Sequence, residues 1–154
     1  MKEAYIYNNK AYIYAKEGIT QKETPKYVKK QMRSFVKIAE GKDKKYCINE
    51  EKVKQIENVM KLLIMPKGLK AGQTLFECST NYQWLFYVSV LAVVYREDKA
   101  RRRYETGILE ICRKNFKTYT IGTLFILLFL LEPRFSKFYS VAPDGTLSRE
   151  VKEA

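Results

Sequence analysis

Near the middle of the chain an apolar run, Gly107-Ile108-Leu109-Glu110-Ile111-Cys112, gives way to a polar loop, Arg113-Lys114-Asn115-Phe116. Lys117 and Thr118 then open a second apolar run that extends to Leu131. A phosphate-binding loop needs backbone N–H groups aimed at the anion by a helix N-terminus. It also needs an ammonium that reaches the β and γ phosphates, and a hydroxyl on the next residue that holds Mg²⁺. Lys117 and Thr118 are the right types in the right order. In the usual GxxxxGK[ST] pattern two glycines precede them, and here Ile111 and Phe116 stand in those places. Taken alone, a Lys-Thr pair after a β-prone run is also the ordinary chemistry of a charged loop with a threonine near a helix start. With a side chain at 116, a competent loop is expected to keep negative φ there. Its ring would pack outward or against apolar neighbours, because positive φ suits glycine.

Gln83 is the second residue with chemistry. A side-chain amide offers both a donor and an acceptor to the edge of a base. The local alternative is a capping box, Thr80-x-x-Gln83, in which the amide reaches back to the cap's own N–H. Tyr82 and Trp84 beside it read as packing. Other chemistries are excluded by composition. With no histidine, no Ser-His or Cys-His nucleophile and no His-ligated zinc site exists in this sequence. Cys47, Cys78 and Cys112 are too far apart for a CxxC pair, and so sparse a set fits a reducing compartment.

The elements that position these residues follow from periodicity. The repeat Ala4-Tyr5-Ile6-Tyr7, Ala11-Tyr12-Ile13-Tyr14 predicts one amphipathic helix, or two short ones broken near Asn8-Asn9, ending at Gly18. Thr24 and Pro25 start a second helix that Gly41 stops. Its apolar residues are Val28, Met32, Phe35, Val36 and Ala39, and Lys26, Lys29, Lys30, Arg33 and Lys37 lie opposite. Asn49, followed by Glu50 and Glu51, starts a third, with Pro66 and Gly68 at its end. Residues 67–72 read as loop and residues 75–78 as a short extended piece. Ser79-Thr80 opens a helix to about Tyr95, and residues 96–103 form a charged turn with four arginines and one lysine. We read 107–112 as a strand, 118–131 as a helix closed by Pro133, 135–141 as a second, parallel strand, and Ser148 onward as a further helix. The expectation is therefore an α/β chain: a helical N-terminal region, 1–70, then the start of a parallel P-loop NTPase sheet over 71–154. The run from Tyr119 to Leu131 is short of the roughly 20 residues a membrane span needs.

The charge is uneven as well. Of 29 Lys+Arg and 17 Asp+Glu, residues 1–70 hold 17 and 8, so the basic excess sits in the front half. That suits a polyanionic partner, or simply a solvated lysine-rich surface.

Taken in order, these segments resemble the large subunit of phage terminases. Ile111-Cys112-Arg113-Lys114-Asn115-Phe116-Lys117-Thr118 resembles the family's deviant P-loop, with Cys112 for its proline and Phe116 for its glycine. Gly72-Gln73-Thr74-Leu75-Phe76-Glu77 with Tyr82-Gln83-Trp84 is similar to the segment that precedes its ATPase strand. Arg101-Arg102-Arg103-Tyr104-Glu105 is similar to its basic turn, and Phe138-Tyr139-Ser140-Val141-Ala142-Pro143-Asp144 to its second strand and loop. The resemblance implies an ATP-driven motor that packages double-stranded phage DNA, works with a portal protein and a small terminase subunit, and acts in the bacterial cytoplasm. It implies ATP and Mg²⁺ as ligands. Gln83 would serve the base, Arg113, Lys114, Asn115, Phe116, Lys117 and Thr118 the phosphates, and Thr118 also the metal. No counterpart of the family's acidic strand end or nuclease carboxylates occurs before Ala154, so complete hydrolysis or nuclease chemistry is not expected of this chain. Two other readings stay open: a small basic nucleic-acid-binding module without enzymatic activity, and an inactive prophage remnant.

Overall fold

A computed structural model describes residues 5–65, 70–112, 115–132, 137 and 139. The chain divides into two compact units, residues 1–107 and 108–154. Among the described residues the structure is mostly helical, and its one sheet has two antiparallel strands.

In the first unit a 3-10 turn, Tyr5–Asn8, precedes α1, Lys10–Thr20. The break falls at Asn9, whose Oδ1 caps the helix by accepting from the Ala11 N–H at 2.8 Å. The same residue donates through Nδ2 to the buried Glu57 at 2.7 Å, and the Tyr5 hydroxyl donates to the other oxygen of that carboxylate. Burial, then the bond and charge of Glu57, push the Tyr5 phenol up to about 12. One acid, Glu57, thus bonds both the turn before the first helix and the residue that caps it. That helix does not stop at Gly18. It runs through it, and Gly18 is buried at a close approach where an added Cβ would lie 2.5 Å from the Met32 Sδ of the next helix.

Helix α2 spans Lys26–Ala39, with Pro25 at its N-cap, and Gly41 leaves it at φ +71°. Its buried face is Met32, Phe35, Val36, Ile38 and Ala39, while Val28, expected on that face, is exposed. Asn49 caps α3, Glu50–Leu62, by accepting from the Lys52 N–H at 3.2 Å. Pro66 and Gly68, its expected stop, lie outside the described residues.

Three further elements differ from the sequence-based expectation. Residues 75–78 are not extended but form a helical turn, α4, Leu75–Cys78, set by a Thr74/Glu77 capping box. Helix α5, Asn81–Ala92, ends before Tyr95, and Val93–Tyr95 is a strand, β2. It pairs with β1, Tyr46–Ile48, in the register Tyr46↔Tyr95, Cys47↔Val94 and Ile48↔Val93. The β-branched pair Val93-Val94 suits an extended, buried edge better than a further helical turn. Trp84, Tyr87, Val88 and Leu91 of α5 share the core with Ile6, Met32, Ile38, Ile56 and Met60.

The third correction concerns the fold class. Residues 107–112 form no strand, and among the described residues the one sheet is a two-stranded antiparallel pair, not the parallel start of a P-loop sheet. A β-prone run becomes a strand only when a neighbour completes its hydrogen-bond ladder, and Ile108 is 87% exposed. The proposed partner strand at 135–141 and the helix from Ser148 fall outside the described residues, apart from isolated positions. In the second unit the described helix is α6, Lys117–Leu131. Among the described residues no helix is long and apolar enough to cross a membrane.

Candidate functional site

The corner before α6 gathers the phosphate candidates that are described. Asn115, Phe116 and Lys117 are exposed and Thr118 is half-buried. Arg113 and Lys114 lie outside the described residues. Phe116 is the N-cap and has φ 56° and ψ 29°, the left-handed region, where it is the one non-glycine residue with positive φ among those described. Its backbone therefore takes the conformation for which the usual pattern reserves a glycine, and not the negative φ expected of a side chain there. The ring is 65% exposed, so it points outward as expected even though the backbone does not comply.

This geometry has a chemical consequence. Ser, Thr, Asp or Asn at an N-cap covers a first-turn N–H with its own oxygen. A phenyl ring has no acceptor, and Phe116 makes no side-chain cap bond. Its carbonyl instead receives the Thr120 N–H at 2.8 Å and the Thr120 hydroxyl at 2.9 Å, which starts the helix regularly. The first-turn N–H groups and the positive end of the helix dipole therefore lie at one corner, and Lys117, the first residue of α6, is exposed there. A left-handed residue leading directly into a right-handed helix, as Phe116 leads into Lys117, is a turn that can aim successive N–H groups at one anion.

Gln83 is in the first unit and is 3% exposed. Its Oε1 accepts from the Thr80 N–H at 2.8 Å and from the Thr80 hydroxyl at 3.0 Å. The structure thus realises the capping box, and the amide oxygen is engaged in starting α5. Trp84 is fully buried and meets Phe76 edge-on at 5.3 Å between centroids, a packing role. The Thr74/Glu77 box was equally legible at its spacing. There the Thr74 hydroxyl donates to Glu77 at 2.8 Å, and the Thr74 bonds hold that carboxyl below the usual carboxylate range. Among the described residues no group of three or more Cys, Asp or Glu residues is arranged to hold a metal ion, which leaves the Thr118 hydroxyl as the one Mg²⁺ candidate the sequence nominated.

No family model matches the sequence, and comparison with curated proteins and with solved structures finds no match either.

Proposed function

We propose that the chain is the front portion of a DNA-packaging motor ATPase of the terminase large-subunit kind, and that residues 115–118 make its contact with the triphosphate. The observation that carries this is the left-handed Phe116 set directly before Lys117-Thr118 at the start of α6, where this N-cap residue makes no side-chain cap bond. In a phosphate loop the residue before the lysine turns the backbone so that successive N–H groups face one anion. Here a residue for which that turn is costly nevertheless makes it. Lys117 supplies the charge to the β and γ phosphates, and Thr118 the hydroxyl to Mg²⁺. The collinear resemblance along the rest of the chain supports the wider reading. The proposal assigns binding to this corner and neither hydrolysis nor DNA cleavage to the chain.

The test is calorimetric titration of the full chain with a non-hydrolysable ATP analogue, with and without Mg²⁺. Saturable binding that weakens without Mg²⁺ and is competed by pyrophosphate is expected. No saturable heat at millimolar analogue would reject the reading.

A further inference from the structure

The arginine-rich turn at 96–103, which reads in sequence as a solvated loop, is built into the sheet. The Tyr95 N–H donates to the Arg101 carbonyl at 3.1 Å and the Arg103 N–H to the Val93 carbonyl at 2.9 Å, so residues 101–103 run along the free edge of β2. The Arg101 N–H closes the turn on the Asp98 carbonyl at 3.1 Å. Tyr46 and Tyr95, partners in register, meet edge-on at 5.0 Å. The Arg101 guanidinium lies 4.6 Å from the Tyr95 ring, and that of Arg103 lies 4.4 Å from Tyr46 and 4.8 Å from Tyr104. The Lys45 ammonium sits 5.6 and 5.4 Å from Tyr46 and Tyr95. Arg103 also reaches the Ser34 hydroxyl of α2 at 3.3 Å.

We infer that this arginine–tyrosine ribbon is a contact surface for the phosphate backbone of duplex nucleic acid. A guanidinium resting on a ring satisfies its apolar face and leaves its N–H edges for an oxyanion, with little side-chain freedom left to lose. Three cations are held in this way on one short ribbon. Acidic groups lie nearby, and Asp43, whose carboxyl the Tyr46 and Lys45 N–H groups and then the Lys37 and Arg103 charges hold below the usual range, offsets part of the Arg103 charge. Asp43 is engaged by the backbone N–H groups of Lys45 and Tyr46, at 2.9 and 3.0 Å, and Asp98 accepts from the Ala100 N–H at 2.9 Å. Glu105 is 3.6 Å from Arg101 but 82% exposed, a pair that a phosphate can replace. Glu97 is exposed at the turn. Arg96 is a structural arginine, donating to the Asp43 and Gly41 carbonyls at 2.8 and 3.1 Å.

The ring faces are occupied by cations, so this is not the open aromatic platform that single-stranded binders offer to bases. None of the exposed large apolar side chains among the described residues lies in 43–48 or 93–105, so the apolar anchor of a membrane-surface binder is missing from the ribbon. A basic surface with neither feature suits the phosphate backbone of a duplex, where charge is the main contact. The inference does not depend on the nucleotide reading and places the polyanion on the ribbon, not on the more numerous lysines of α2.

The test measures affinity of the full chain for a labelled duplex across a series of salt concentrations, without nucleotide. Replacing Arg101 and Arg103 together with Gln is expected to weaken binding about tenfold or more and to flatten the log–log salt slope by about two contacts' worth, roughly 1.8. Lys26→Gln with Lys30→Gln, an equal change of charge on α2, is expected to cost about threefold or less. If the double arginine variant loses its far-ultraviolet circular dichroism, Arg101→Gln alone serves, since that side chain is 59% exposed and about half the slope change is expected. An equal or larger loss in the α2 variant would overturn the inference. So would no duplex binding, tighter binding of single strands, or a preference for phosphatidylserine vesicles over duplex.

Discussion

Phe116 offers a test in which chirality alone is the perturbation. At φ 56° an L-residue pays about 1–2 kcal/mol for crowding of its Cβ against the following carbonyl, whereas a D-residue prefers that region. Replacing Phe116 with Gly would mix this strain with the larger unfolded-state entropy of glycine and with its better N-capping. D-Ala and L-Ala differ in neither, since both remove the ring and both have the same unfolded freedom. The ring is 65% exposed, so little packing is lost in either variant. Cys112 provides a ligation point, and residues 112–154 can be synthesised with either isomer at 116 and joined to residues 1–111. Hydrogen exchange of the amides in the second turn of α6 is expected to be about 5–30-fold slower with D-Ala than with L-Ala, the factor that corresponds to 1–2 kcal/mol. Equal exchange, or slower exchange with L-Ala, would show that the backbone at 116 is not left-handed in solution, and the case for an anion nest would fall with it.

Asn9→Ala removes the α1 cap and leaves Glu57 short of a donor in a buried site, so a loss of about 2–3 kcal/mol in denaturant unfolding is expected. Glu40 is held down to about 2 by Lys42 and then Lys16, from an ordinary value near 4.5. Because its folded pKa is depressed, its contribution is complete above about pH 4.5 and is lost as the pH falls towards 2. Both lysines are exposed, so that contribution is about 1 kcal/mol or less. A series of acid melts should show a shallower loss of Tm over that window in Glu40→Gln than in the parent, and the difference should shrink in high salt.

Helices with a clear stripe and a local cap were legible in the sequence. Asn49 followed by two glutamates marks the start of α3, and Gly41 marks the stop of α2, where the structure gives it a positive φ. The errors came where a tertiary contact decides. Gly18 looks like a terminator, but it is the point where α1 meets Met32, and no local signal separates the two roles. Tyr46–Ile48 and Val93–Tyr95 are three-residue strands that exist because they pair with each other, and the second reads as the tail of a helix until its partner is known. Residues 107–112 show the reverse case, β-prone composition without a ladder among the described residues. At the candidate site the order of Lys117 and Thr118 at a helix mouth was readable, and α6 begins at Lys117. The backbone of Phe116 was not, because side-chain identity argued for negative φ. Gln83 allowed two roles, and the spacing to Thr80 that defines a capping box is the one its hydrogen bonds follow.

The most direct measurement is the affinity of Lys117→Ala and of Lys114→Ala for the Mg²⁺ complex of a non-hydrolysable ATP analogue, beside the unmodified chain. Lys117 stands at the first position of α6, where the helix dipole and the first-turn N–H groups favour an anion. Losing its charge-assisted contact should cost about 1.5–3 kcal/mol, roughly ten- to a hundredfold in Kd. Lys114→Ala, three positions earlier, is expected to cost about threefold or less. Equal losses in the two variants would make the loop a generic basic patch and contradict a nucleotide site at 115–118.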